Sequence, residues 1–110
     1  MTDTIETLCR STIQHGPLNR RIYLMKLHPG DAADIIPALA RLARKRGYGK
    51  ILAKVPESVA RGFARAGYNI EARIPGFFQN GDAALFMAFF LNPRRDEERR
   101  PGAVEQSAAA

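Results

Sequence analysis

Apolar residues along the chain recur with two periods, and the switching between them sketches the fold. "STIQHG" (Ser11 to Gly16) reads as a short strand. "RIYLMKL" (Arg21 to Leu27) reads as a stronger one, because it mixes β-branched, aromatic and long apolar side chains. The "PLN" between them supplies a turn, so the two strands form a predicted hairpin. "HPGD" ends the second strand. Asp31 is placed there to cap a helix, with Asp34 three residues on, an acid at the positive helix end. Ile35, Leu39 and Leu42 then recur at helical spacing, with Ile36 and Ala43 beside them and Arg41, Arg44 and Lys45 off the stripe. Gly47 reads as the left-handed residue beyond the last turn, behind Arg44, Lys45 and Arg46. Pro37 conflicts with a regular start and predicts a kink or a loose first turn.

"KILAKV" (Lys50 to Val55) is a second strong strand, ended by Pro56. "ESVARGFARAG" predicts a short helix with Val59, Phe63 and Ala66 on one face and Gly67 as its stop. "YNIEARI" alternates Ile70, Ala72 and Ile74 against Glu71 and Arg73, as a half-exposed strand does. "QNGD" is a turn. "ALFMAFFL" is apolar on both faces and predicts a central strand. The order is β-β-α-β-α-β-β, a mixed α/β (α+β) fold of about five strands and two main helices over residues 1–92. A strand–helix–strand unit demands a right-handed parallel crossover. Residues 93–110 read as a charged helical stub followed by a flexible tail or linker.

Composition narrows the function classes. A chain of 110 residues suits one domain with a core that needs no disulfide or metal. Cys9 is the single cysteine, so no intramolecular disulfide forms, and a reducing, cytoplasmic location is expected. The opening "MTDTIETLCR" is polar and partly acidic, unlike a signal peptide. The longest apolar run, Ala83 to Leu91, is far shorter than the roughly 20 residues of a membrane span. The net charge of +6 raises nucleic-acid binding as an alternative. Yet "RLARKRGYGK" is the one dense basic cluster, and the aromatics lie apart from it in apolar strand runs, which argues against a base-stacking platform.

The candidate chemistry is sparse. "RKRGYG" (Arg44 to Gly49) fits the R-x-x-G-x-G pattern of a pyrophosphate cradle, but such a loop must follow a strand and open a helix. Here it closes a helix and points carbonyls outward, so a glycine cap explains it. "HPGD" has the right position and the wrong residues, with one glycine, a proline lacking N–H and an acid at the cap. His15 and His28 flank the predicted hairpin, where they either approach one another as acid–base or metal groups or are single loop histidines with a structural or solvated role. No cysteine or carboxylate stands at metal-ligand spacing, so no metal is expected. Ser11, Ser58 and Ser107 lack a nucleophile-elbow context. Lys54 lies in a strand that should be internal. It must snorkel to the strand's end, pair with an acid, or meet a ligand at the carboxyl edge of the sheet.

Three separated blocks carry a resemblance: "IQHGPLNRRIYLMKL", "AKVPESVARGFARAGYNIEARIPGFF" and "DAALFMAFFLNPRR". In order and spacing they resemble the amino-terminal part of the beta-lysine N-acetyltransferases, of the GNAT-type acetyltransferase superfamily, from about Asp3 to Arg95. The resemblance implies a GNAT-like half-domain. It also implies an enzyme that acetylates the side-chain amine of beta-lysine with acetyl-CoA, after lysine 2,3-aminomutase has formed that substrate. The product would be a compatible solute. Members of the family are longer, and their acetyl-CoA loop lies in a downstream catalytic GNAT domain. In many acetyltransferases a tyrosine on the helix before the last hairpin protonates the leaving thiolate. The matching place here is Phe63, which has no proton to give.

Acetyl-CoA is therefore expected for the full-length enzyme and no cofactor for this chain alone. The expected partners are the downstream domain or a homodimer partner, and a small-molecule amine. The alternative is a stand-alone small-ligand-binding or dimerisation module. No catalytic residue is assigned. The substrate-binding candidates are His15, Asn19, Arg21 and Tyr23 at the first hairpin, with Lys54, Gly76, Phe77, Phe78 and Asp82 near strand ends and the second hairpin. Asp82 either pairs with a substrate ammonium or only shapes a turn.

Overall fold

The structure, a computed structural model, describes residues Asp3–Leu91; the stub and tail expected over 93–110 lie outside them. In chain order the elements are β1 (Thr4–Leu8), β2 (Ser11–Gly16), β3 (Arg21–Lys26), α1 (Ile35–Arg46), β4 (Lys50–Pro56), α2 (Ala60–Arg65), β5 (Asn69–Ile74) and β6 (Ala84–Phe90). They build one mixed sheet in the order β1-β2-β3-β4-β6-β5. β3 and β4 pair in parallel and every other neighbour is antiparallel. The expected series of strands and helices is present, with one strand more.

That extra strand is β1, which carried no apolar signal. "TIETL" is exposed along nearly its whole length and adds an outer edge to β2. Cys9 and Arg10 connect the two, with Leu8 opposite Ser11. Cys9 is exposed and takes the left-handed backbone (φ 57) that a two-residue hairpin turn requires. Sequence rules look for Asn-Gly or Asp-Gly at such a turn, and neither is here.

The core lies on one face of the sheet. Ile13, Ile22, Leu24, Ile51, Ala53, Val55, Leu85 and Met87 point toward Ile35, Leu39 and Ala43 of α1 and Phe63 of α2, and all are buried. β6 is the predicted central strand, between β4 and β5. α1 begins at Ile35, later than expected, because the Asp31 side chain is engaged elsewhere and does not cap it. Pro37 falls on its third residue, where a backbone N–H has no intrahelical partner, so no hydrogen bond is lost; turn residues 32–34 precede the helix, in keeping with the loose first turn expected. Gly47 closes α1 in the left-handed conformation (φ 72), as predicted.

Two other expectations need correction. The second helix is shorter: a 3-10 turn over Glu57–Val59 leads into α2, which buries Ala60 and Phe63 and leaves Ala66 exposed. β5 is wholly exposed rather than half-exposed. It forms the sheet's other edge, and its register with β6 shifts between Ile70 and Ala72, so the alternation breaks at Glu71. Ile70 and Ile74 are left 58% and 41% exposed.

The two histidines do not meet. His15 is buried near the end of β2, where its Nδ1 lies 2.8 Å from the Tyr48 hydroxyl and its Nε2 contacts the Glu6 carboxylate. With Nε2–H donated to Glu6, Nδ1 accepts from Tyr48. His28 sits beside the other end of β2, where its backbone N–H donates to Ser11 Oγ at 2.9 Å. Four residues of strand separate the two places, about 13 Å. The Glu6–His15–Tyr48 chain ties β1, β2 and the start of β4 together. Replacing Tyr48 by Phe should cost about 1–3 kcal/mol, because the buried His15 Nδ1 loses its partner. Urea unfolding at pH 7 reads this; a change within about 0.5 kcal/mol would count the hydroxyl as idle.

Candidate functional site

The ladder between β3 and β4 is short. It runs from Arg21 opposite Lys50 to Leu24 opposite Ala53 and then stops, although β3 continues to Lys26 and β4 to Pro56. Beyond Leu24 and Ala53 the two strand ends have no ladder partner across the gap. A bulge helps to part them: Ile13 faces Leu24 while Thr12 faces Lys26, so Met25 is the extra residue. Parallel strands that separate at their carboxyl ends leave a crevice there, the usual ligand position in an α/β sheet.

A cleft of about 670 Å³ occupies this place, on the face that no helix of the described residues covers. Thr12, Tyr23, Met25, Lys26 and Leu27 form one wall, with Pro29 at its head; Lys54 and Pro56 line the β4 side; Phe77, Phe78, Gln79 and Asn80 close it from the β5–β6 loop. Backbone bonds within that loop, Phe78 N–H to Asp82 O (3.1 Å) and Gly81 N–H to Phe78 O (2.9 Å), hold its shape. Phe77 and Phe78 meet edge to face at 5.0 Å. Lys54 does snorkel: its Nζ lies 5.2 Å from the centre of the Phe77 ring, a contact worth about 0.5–1 kcal/mol where water reaches it.

The cleft therefore gathers Tyr23, Lys54, Phe77 and Phe78 from the sequence candidates and leaves the other five outside. His15 is buried on the helix-covered side. Asn19 lies in the β2–β3 turn, donating to Asp3 at 2.8 Å. Arg21 starts β3, at the end away from the cleft. Gly76 forms the turn before Phe77 with φ 64. Asp82 accepts from Ser58 Oγ at 2.7 Å, and its backbone N–H donates to Asn80 Oδ1, so it shapes the loop. The sequence candidates did not include Met25, Lys26, Leu27 and Pro56 at the strand ends, or Thr12, Pro29, Gln79 and Asn80 around them. The signal was available, since a parallel β-α-β unit brings the carboxyl ends of its strands side by side, but only Lys54 was read that way. Phe63, the place matched to a proton-donating tyrosine, is buried against Tyr68 in the core rather than at the cleft.

The connection at the cleft's head is held by Asp31. Its carboxylate, buried beneath a 3-10 turn over Pro29–Asp31, accepts from Ser11 Oγ at 2.6 Å, Arg10 N–H at 2.8 Å and Arg10 Nε at 3.4 Å. The Ser11 hydroxyl chiefly, then the Arg10 donors, outweigh the effect of burial and hold this carboxyl below the usual carboxylate range. The backbone donors of the turn are taken: Gly30 N–H bonds His28 Nδ1 at 3.0 Å and Asp31 N–H bonds His28 O at 2.9 Å.

Comparison with known proteins places this geometry. The chain is similar to the beta-lysine N(6)-acetyltransferase of Methanococcus maripaludis, with 32% identity over 85 residues, 77% of this chain and 31% of that protein. It thus spans under a third of that relative's length. No family model matches the sequence. Among solved structures, nourseothricin acetyltransferase superposes with a TM-score of 0.52 at 19% identity, covering 73% of this chain and 55% of that one. A probable GNAT-family acetyltransferase of Chromobacterium violaceum gives 0.54 at 10% identity, covering 81% and 59%. The IAA acetyltransferase of Bacillus cereus gives 0.54 at 10% identity, covering 74% and 69%. These likenesses establish the fold as that of the GNAT acetyltransferases, as the sequence blocks implied.

Because Asp31 has a lowered pKa in the folded state, its contribution to stability is complete above the ordinary carboxylate pKa and fades as pH falls through the lower folded value. Asp31→Asn should therefore unfold at less urea than wild type at pH 7, and the gap should narrow below about pH 4. A gap that stays constant from pH 7 to pH 2.5 would contradict this role.

Proposed function

We propose that this chain is the amino-terminal GNAT-like module of an acetyl-CoA-dependent beta-lysine N-acetyltransferase, and that it transfers no acetyl group by itself. The sequence similarity to a beta-lysine N(6)-acetyltransferase supports the substrate, and the short span of that relative supports a module of something longer. In this reading the product is an acetylated compatible solute made in the cytoplasm. The partner is a downstream catalytic domain, and the cleft lends a wall to the amine-substrate site.

One observation carries the second half of the proposal. A pyrophosphate cradle needs free backbone N–H groups at a helix N-terminus. Here Pro29 has no N–H, those of Gly30 and Asp31 are already bonded to His28, and α1 opens on Asp34. The acids add repulsion where an anion would have to sit. The residues at this connection do not fit the pyrophosphate of acetyl-CoA, so the cofactor is assigned to the downstream domain. A stand-alone small-ligand-binding or dimerisation module is the second reading, favoured by a cleft to which β2, β3, β4 and the β5–β6 loop all contribute.

The purified 110-residue chain, given acetyl-CoA and beta-lysine, should release free thiol no faster than buffer does. Turnover by the chain alone would overturn the proposal. Reading the gene past Ala110 separates the two readings. A second GNAT domain with a phosphate loop after a strand supports the module, and a stop codon at that point supports the stand-alone protein.

A further inference from the structure

We infer that the cleft grips the anionic end of its ligand, a carboxylate joined to a short aliphatic chain, and that the ligand's ammonium group is held outside it. The inference deepens the reading above, because beta-lysine carries both kinds of group, and it rests on that reading only for the identity of the natural ligand.

Charge makes the choice. Among the described residues the cleft is lined by two lysines, Lys26 and Lys54, and by no aspartate or glutamate. Lys54 is half-buried in an internal strand and has no carboxylate partner among the described residues. A half-buried ammonium is stabilised by an opposite charge. The Phe77 ring beneath it offers only a quadrupole, and the ring is itself 46% exposed. Asp82, the acid of the cleft's loop, is committed to Ser58 and does not line the cavity. An incoming ammonium would meet two like charges and no counter-ion. An incoming carboxylate would complete the pairing that Lys54 lacks. Tyr23, Met25 and Phe78 beside it supply apolar surface for an aliphatic chain. Of the two roles open to Asp82, pairing with a substrate ammonium or shaping a turn, the loop geometry fits the turn, and the charge left facing the cleft is positive.

The test compares two probes of matched length, hexanoate and hexylamine, titrated into the full chain and followed by amide chemical shifts. Hexanoate should move the amides of Tyr23–Leu27, Lys54 and Phe77–Asn80 saturably, and hexylamine should not. Lys54→Met should weaken hexanoate binding at least fivefold with amides outside the cleft unmoved, and Lys26→Met, at the cleft wall, is read in the same way if Lys54→Met does not fold. Lys45→Gln, on α1, should leave binding unchanged. The inference fails if hexylamine binds as well as hexanoate, if no saturable shift occurs, or if Lys45→Gln weakens binding as much as Lys54→Met. The last result would assign the attraction to net charge. Any of these leaves the acetyltransferase reading intact, while acetyl transfer by the chain alone removes that reading and leaves the anion site.

Discussion

Two connections in this chain join strands that run in the same direction, and such strands cannot be joined by a tight turn. β3 must reach β4, and β4 must reach β5 on the far side of β6, by crossing over the sheet. Both crossings step the same way along the sheet, so right-handedness puts α1 and α2 on one face. There they share a core with the inward side chains of β2, β3, β4 and β6. Among the described residues the opposite face is left without a helix. The cleft lies on that uncovered face, whose existence follows from connectivity rather than from any single side chain.

On that face the cleft depends on where the parallel ladder ends. β3 and β4 are held together for four residue pairs and then released. Asp31 fixes what lies above the gap. By accepting from Ser11 and Arg10 it ties the β3–α1 connection to the β1–β2 turn. The same bonds use up polar groups that could otherwise face a ligand. The connection is satisfied by its own hydrogen bonds, and the cationic cleft lies below it.

Much of this was legible from apolar periodicity. The stripe of α1, the doubly apolar β6, the glycine stop at Gly47 and the parallel unit all have strong local signals. The order of three sequence blocks identified the fold. What was not legible depends on partners distant in the chain. β1 is polar, its existence comes from pairing with β2, and Cys9–Arg10 is an unmarked turn. Asp31 looked like a helix cap because sequence shows only its neighbours, while its partners lie about twenty residues away. His15 stood among the substrate-binding candidates of the first hairpin, and Tyr48, 33 residues on, makes it an interior hydrogen-bonding group. Tyr23 and Lys54 were found because strand alternation and strand ends are local facts. Lys26 was missed because the bulge at Met25 turns it to the other face.

The two outer strands have a consequence for life in a crowded solution. An exposed strand edge is a template on which another chain can extend the sheet, and among the described residues this sheet has two, β1 and β5. Each is interrupted by charge. Glu6 stands at the middle of β1, and β5 carries Glu71 at its register shift and Arg73 paired to Glu57 at 2.9 Å. A strand added to either edge would have to abut these charges, and on β5 it would lose register at the shift. Ile70 and Ile74 can thus stay exposed on an edge that resists fibre-like growth.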